Sequence, residues 1–126
     1  MSVRRDQRLR PILTPMEAFK RRVTRWSGRL RAQPREVVIM RMTRKWASCS
    51  TRGRVCFARD LLDRSTCEQD YVIVHELLHL RHPNHGRVFG ALVQANVPDW
   101  RKLAARLPAR PRRIATETAS AEERTP

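Results

Sequence analysis

The chain has 126 residues, 27 of them Lys or Arg against 12 Asp or Glu, for a formal charge of +15. That length suits one domain, and a hydrophobic fraction of 40% supports a modest core, which excludes wholesale disorder. No run approaches the roughly 20 apolar residues of a membrane helix, and no apolar segment follows the basic N-terminus as a secretory signal requires.

Residues 1–13 are charged and unpatterned and are expected to form a flexible basic arm. Thr14-Pro15-Met16-Glu17 predicts a helix start: Thr14 caps, Pro15 suits the first turn and Glu17 completes a capping box. Met16, Phe19, Val23, Trp26 and Leu30 then recur at helical steps, a stripe that reads as core. Pro34 ends this region. The β-branched run within Glu36–Met42 predicts a strand, and Trp46–Ser50 and Arg54–Ala58, flanking Thr51-Arg52-Gly53, predict a hairpin. Ser65-Thr66-Cys67-Glu68 is a second capping box, opening a helix from Thr66 to about Arg81 that Pro83 stops. Short helices are expected over Gly86–Asn96 and Pro98–Leu107. From Pro108 the periodicity is lost, and residues 108–126 read as a disordered tail, leaving 14–107 as the folded domain.

Cys49, Cys56 and Cys67 are odd in number and contain no CxxC pair, so they read as reduced thiols in a cytoplasmic protein. All four histidines, His75, His79, His82 and His85, fall within eleven residues. Within them, His75-Glu76-Leu77-Leu78-His79 is an H-E-x-x-H arrangement. On a helix its two imidazoles are about 40° apart around the axis and one turn along it, so both can reach one Zn²⁺ at about 2.0–2.1 Å. Glu76 lies about 100° from His75 and 60° from His79, too oblique for an equal ligand and well placed beside a water on the metal. The opposite arc, Ile73, Val74, Leu77, Leu78 and Leu80, anchors the helix in the core.

For the third ligand, His82 on a continuing helix would sit about 4.5 Å beyond His79, out of comfortable reach. Pro83-Asn84 breaks the helix and lets His85 turn back over the metal, so His85 is expected as the ligand and His82 as a surface or supporting residue. Three protein ligands leave a fourth position for water, the pattern of a catalytic zinc site. Cys49 as a fourth ligand that silences the site is the alternative. Tyr71, one turn before His75, is positioned either to steady an oxyanion or simply to pack. Trp46 reads as core packing or as a substrate contact.

Arg44-Lys45-Trp46-Ala47-Ser48-Cys49-Ser50, Asp70 through His79, Asn84-His85 and Pro98-Asp99-Trp100 together resemble the YgjP-like metallopeptidases. These are predicted metal-dependent hydrolases related to the SprT-like and other zincin proteases. The likeness covers about Met40 to Leu107 and includes the spacing H-E-x-x-H-x5-H. It implies a zincin-like α+β domain with an N-terminal helix, a short antiparallel sheet or hairpin, an active-site helix and short helices after it. It also implies zinc on His75, His79 and His85, Glu76 as the catalytic residue, and a peptide or protein substrate. Ala47 departs from the family, which usually has Gly after the Trp.

Charge supports a competing reading. Residues 1–35 hold ten Arg and Lys20 against Asp6 and Glu17, a local charge of +9. With Arg21, Arg22, Arg25 and Arg29 opposite the apolar stripe of the first helix, nonspecific contact with nucleic acid through phosphates is a second expectation. In that reading the chain is a basic DNA-associated module with a structural or inactive zinc site, or a protease recruited to DNA-bound proteins. An intact Glu76 argues against a purely structural site, which has no use for that carboxylate.

Overall fold

A computed structural model describes residues 12–110; the basic arm before Ile12 and the tail beyond Arg110 lie outside the described residues. The elements are α1 (Pro15–Leu30), β1 (Glu36–Met40), β2 (Ala47–Cys49), β3 (Arg54–Ala58), a 3-10 turn (Arg59–Asp63), α2 (Thr66–His79), α3 (Arg87–Asn96) and α4 (Trp100–Arg106). The fold is a small α+β domain whose three-stranded sheet and flanking helices enclose α2.

Both capping boxes form. The Thr14 hydroxyl accepts from the Glu17 amide at 3.1 Å, and the Glu17 carboxylate accepts from the Thr14 amide at 2.9 Å. Ser65 and Glu68 repeat the exchange at the start of α2. The α1 stripe buries Phe19, Val23 and Trp26, and the helix ends with Arg31 in the left-handed region, where the Ala32 amide reaches the Ser27 carbonyl. Asp70 then ties α1 to α2, accepting from Arg22 Nη1 at 3.0 Å and from Trp26 Nε1 at 2.9 Å.

The sheet differs from the expected antiparallel one. Its order is β1-β3-β2: the β2–β3 hairpin is antiparallel, but β1 pairs with β3 in parallel, from Glu36↔Arg54 to Met40↔Ala58. Residues 41–46 carry the chain across the end of β3 to the far edge. The reason is one of matching: β3 offers β1 a partner for each of its five residues, whereas β2 has three. Val55, Phe57 and Ala58 are fully buried, as a central strand requires. Gly53, at φ +91°, turns the hairpin in a conformation that L side chains rarely adopt, and its carbonyl accepts the Arg35 amide.

In α2 all residues are buried except Thr66, Cys67 and Asp70, because α1, β2, α3 and α4 all pack on it. A helix that is covered on every side is apolar nearly all round, which explains the run Tyr71-Val72-Ile73-Val74 and Leu77-Leu78. The regular helix stops at His79, two residues before the expected end, though the Arg81 and His82 amides still reach the Leu78 carbonyl.

Glu68 is nearly buried and takes a two-pronged ion pair from Arg64 at 2.9 and 3.3 Å. Burial alone would raise its pKa, but the Arg64 and Ser65 hydrogen bonds and the Arg64 charge outweigh that and hold it below the usual 4.5. A depressed carboxyl stabilises the fold above the unfolded value, and the gain is lost as pH falls through the folded one. In metal-free protein, Glu68→Gln is therefore expected to cost about 1.5–3 kcal/mol at pH 7, with the gap to wild type closing as the pH falls below the usual 4.5 and through the lowered folded value. Denaturant midpoints at neutral and acid pH check this; a gap that persists in acid would assign the cost to packing instead.

The segment after α4 is fastened rather than loose as far as Arg110, although the loss of periodicity had put it in the tail. Trp46 Nε1 donates to the Pro108 carbonyl at 3.1 Å, and the Arg110 guanidinium lies 3.6 Å from the centre of the Trp46 ring while pairing with Asp60. Arg64 reaches the Arg106 carbonyl beside them.

Candidate metal centre

The middle of α2 brings His75 and His79 to one side of the helix, and the chain turns after Pro83 to bring His85 against them. One nitrogen from each of the three lies within 4.8 Å of the others, and this trio is the group among the described residues able to hold a metal ion. His82 stands outside it. Its backbone contributes instead: His79 Nδ1 lies 3.1 Å from the His82 carbonyl oxygen. A carbonyl can only accept, so Nδ1 carries the proton and Nε2 is left with its lone pair. That Nε2 faces His85 Nε2 at 2.9 Å. Two lone pairs at this distance repel unless a proton or a cation lies between them.

His75 offers the clearest test of fit. Its ring is buried, and neither ring nitrogen has a hydrogen-bond partner. Burial, with His79 and His85 alongside, pushes its pKa well below the ordinary imidazole value, so it stays neutral with a lone pair available. A buried neutral imidazole without a hydrogen-bond partner, facing two more, is the donor set of a metal site. Glu76, 3% exposed, follows His75 directly on the same helix. It is not one of the three residues of the trio.

The other expected site residues divide. Tyr71 is 1% exposed with its ring edge-on to His75 at 6.0 Å. Trp46 carries the C-terminal segment on its face. Ala47 is buried in β2 opposite Phe57, so its methyl group is accommodated in the core. Cys49 lies in the same strand, outside the metal-ligating trio, and the three cysteines form no disulfide. Of the four arginines on α1, Arg22 is consumed by Asp70 and Arg29 lies over the Trp26 ring at 4.9 Å, while Arg21 and Arg25 are exposed. One residue escaped the sequence reading: Phe89, in the short helix expected over Gly86–Asn96, touches all three histidine rings. Its place four residues after His85, in the first turn of the next helix, is the signal that could have found it.

A small α+β domain with H-E-x-x-H on its central helix and a third histidine from the following turn is built as a metallopeptidase. The profile of the YgjP-like metallopeptidase domain matches residues 12–110, and the chain belongs to that family. Two solved structures share the fold. The metallopeptidase zymogen abylysin of Pyrococcus abyssi is 18% identical with a TM-score of 0.64, over 85% of this chain and 99% of its own. The metallopeptidase zymogen jannalysin of Methanocaldococcus jannaschii is 23% identical with a TM-score of 0.59, over 69% and 92%. No curated protein sequence matches the chain significantly. Among the described residues no helix is long and apolar enough to cross a membrane.

Proposed function

We propose that this metallopeptidase is a zinc enzyme, with the metal on His75, His79 and His85 and Glu76 as general base. The observation that carries the reading is the convergence of three imidazole nitrogens within 4.8 Å, one of them on a buried ring with no hydrogen-bond partner. Zinc held there supplies Lewis acidity, drawing the pKa of water toward about 7 and polarising a carbonyl. The chain's own residues do the rest. His79 is held in the correct tautomer by the His82 carbonyl. Glu76 takes a proton from the attacking water and returns it to the leaving amine. β2 is an edge strand packed on the helix that carries these groups, so its outer side can receive an extended peptide by main-chain pairing. The three thiols accord with work in the reducing cytoplasm.

The test is metal analysis of the purified protein with digestion of a protein panel, before and after chelation and after zinc is restored. Stoichiometric zinc with cleavage that follows the metal supports the reading. Cleavage indifferent to chelation sinks it.

The recruited-protease reading retains one favourable observation, the surplus of positive charge over the described residues. With Arg22 engaged, contact with phosphates would fall to Arg21, Arg25 and Arg29. Counterion release makes such binding weaken steeply with salt and indifferent to sequence. Changing those three to Gln is expected to abolish DNA binding seen at low salt, in a titration across a salt series. If wild type and variant bind alike, or neither binds, the face is merely solvated.

A further inference from the structure

α3 buries only two side chains fully, Phe89 and Val93. Phe89 is 1% exposed, and its ring lies against the histidines. It stacks on His79 with centroids 4.6 Å apart and planes at 28°, tilts against His85 at 4.8 Å, and meets His75 edge-on at 5.2 Å and 80°. Tyr71 meets His75 edge-on from further away, with centroids 6.0 Å apart.

An imidazole lone pair lies in the ring plane, so the direction in which it can bind a metal is set by rotation of the ring. A hydrogen bond at the second nitrogen usually fixes that rotation. His79 has such a bond, to the His82 carbonyl. His75 has none at either nitrogen. Its orientation must come from packing, and Phe89 is the ring that packs on it and on both of its partners. We propose that Phe89 is the positioning residue of this centre: its ring sets the rotation of the His75 imidazole and packs against both of that ring's partners, so that docking of α3 and capture of the metal are one event. This rests on the reading of His75, His79 and His85 as metal ligands.

Phe89 takes the part that an outer hydrogen-bond partner takes elsewhere, and loss of such a partner typically lowers metal affinity about 10–100-fold. The experiment compares wild type with Phe89→Leu, with Phe89→Met, which refills the volume without a planar face, and with Phe19→Leu. Phe19 is equally buried, but its ring meets Phe57 edge-on and has no ring contact with the histidines. Zinc affinity is read by competition with a chelator, ligand geometry by the absorption spectrum of the cobalt-substituted protein, and α3 docking by hydrogen exchange of its amides. Both Phe89 variants are expected to bind zinc about 10–100-fold more weakly, with an altered cobalt spectrum. Zinc should protect the α3 amides in wild type and far less in the variants, while Phe19→Leu keeps wild-type affinity. Zinc binding within about twofold of wild type in Phe89→Leu, or in Phe89→Met should the first not fold, overturns the proposal. So does an equal loss in Phe19→Leu. Wild-type protein that takes up no zinc removes the metal reading itself, and the proposal with it.

Discussion

Glu76→Gln is expected to keep zinc and fold while losing at least the 10²–10⁴-fold in kcat that general acid–base catalysis contributes. The two side chains are nearly isosteric, and the amide has no basic oxygen to take a proton. Glu76 is 3% exposed within α2, so the variant must be shown to retain its thermal midpoint and one equivalent of metal before its rate is interpreted. With those controls in place, a variant that still cleaves any substrate of the wild type would show that another base operates.

Removing a ligand should act through the metal. His75→Ala, His79→Ala and His85→Ala are each expected to weaken zinc binding by more than the 10–100-fold typical of losing an outer partner, with hydrolysis lost in parallel. His82→Ala should be close to wild type, because His82 supports His79 through its backbone carbonyl, which alanine keeps. Metal content after dialysis separates these outcomes. Stoichiometric zinc in His85→Ala, or its loss in His82→Ala, would reassign the third ligand.

What could be read from the residues was what is local. The caps at Thr14 and Ser65 and the α1 stripe depend on neighbours three and four positions apart, and each is found as expected. The one-turn spacing of His75 and His79 and the break at Pro83 are equally local, and they lead to the trio seen in the fold. Partners chosen across the chain were not legible. The β-branched run of β1 announces a strand, but nothing in it says that its neighbour is β3 or that the pairing is parallel. Arg22 reads as a solvent-facing charge until Asp70, 48 residues away, is brought beside it. Pro108–Arg110 lack any period because they follow no element of their own; they are ordered by the Trp46 ring. Phe89 fits its helix pattern as an ordinary core residue, and only docking of α3 reveals what it packs on.

The burial of α2 has a consequence for redesign. Among its fourteen residues only Thr66 and Cys67 are exposed, and Asp70 is already engaged. Beyond its first turn, the segment that carries His75, Glu76 and His79 therefore has no position that could be changed without disturbing the core or the Asp70 contacts. Redesign of the domain has to begin outside α2, for example in the crossing segment 41–46, half of whose residues are exposed.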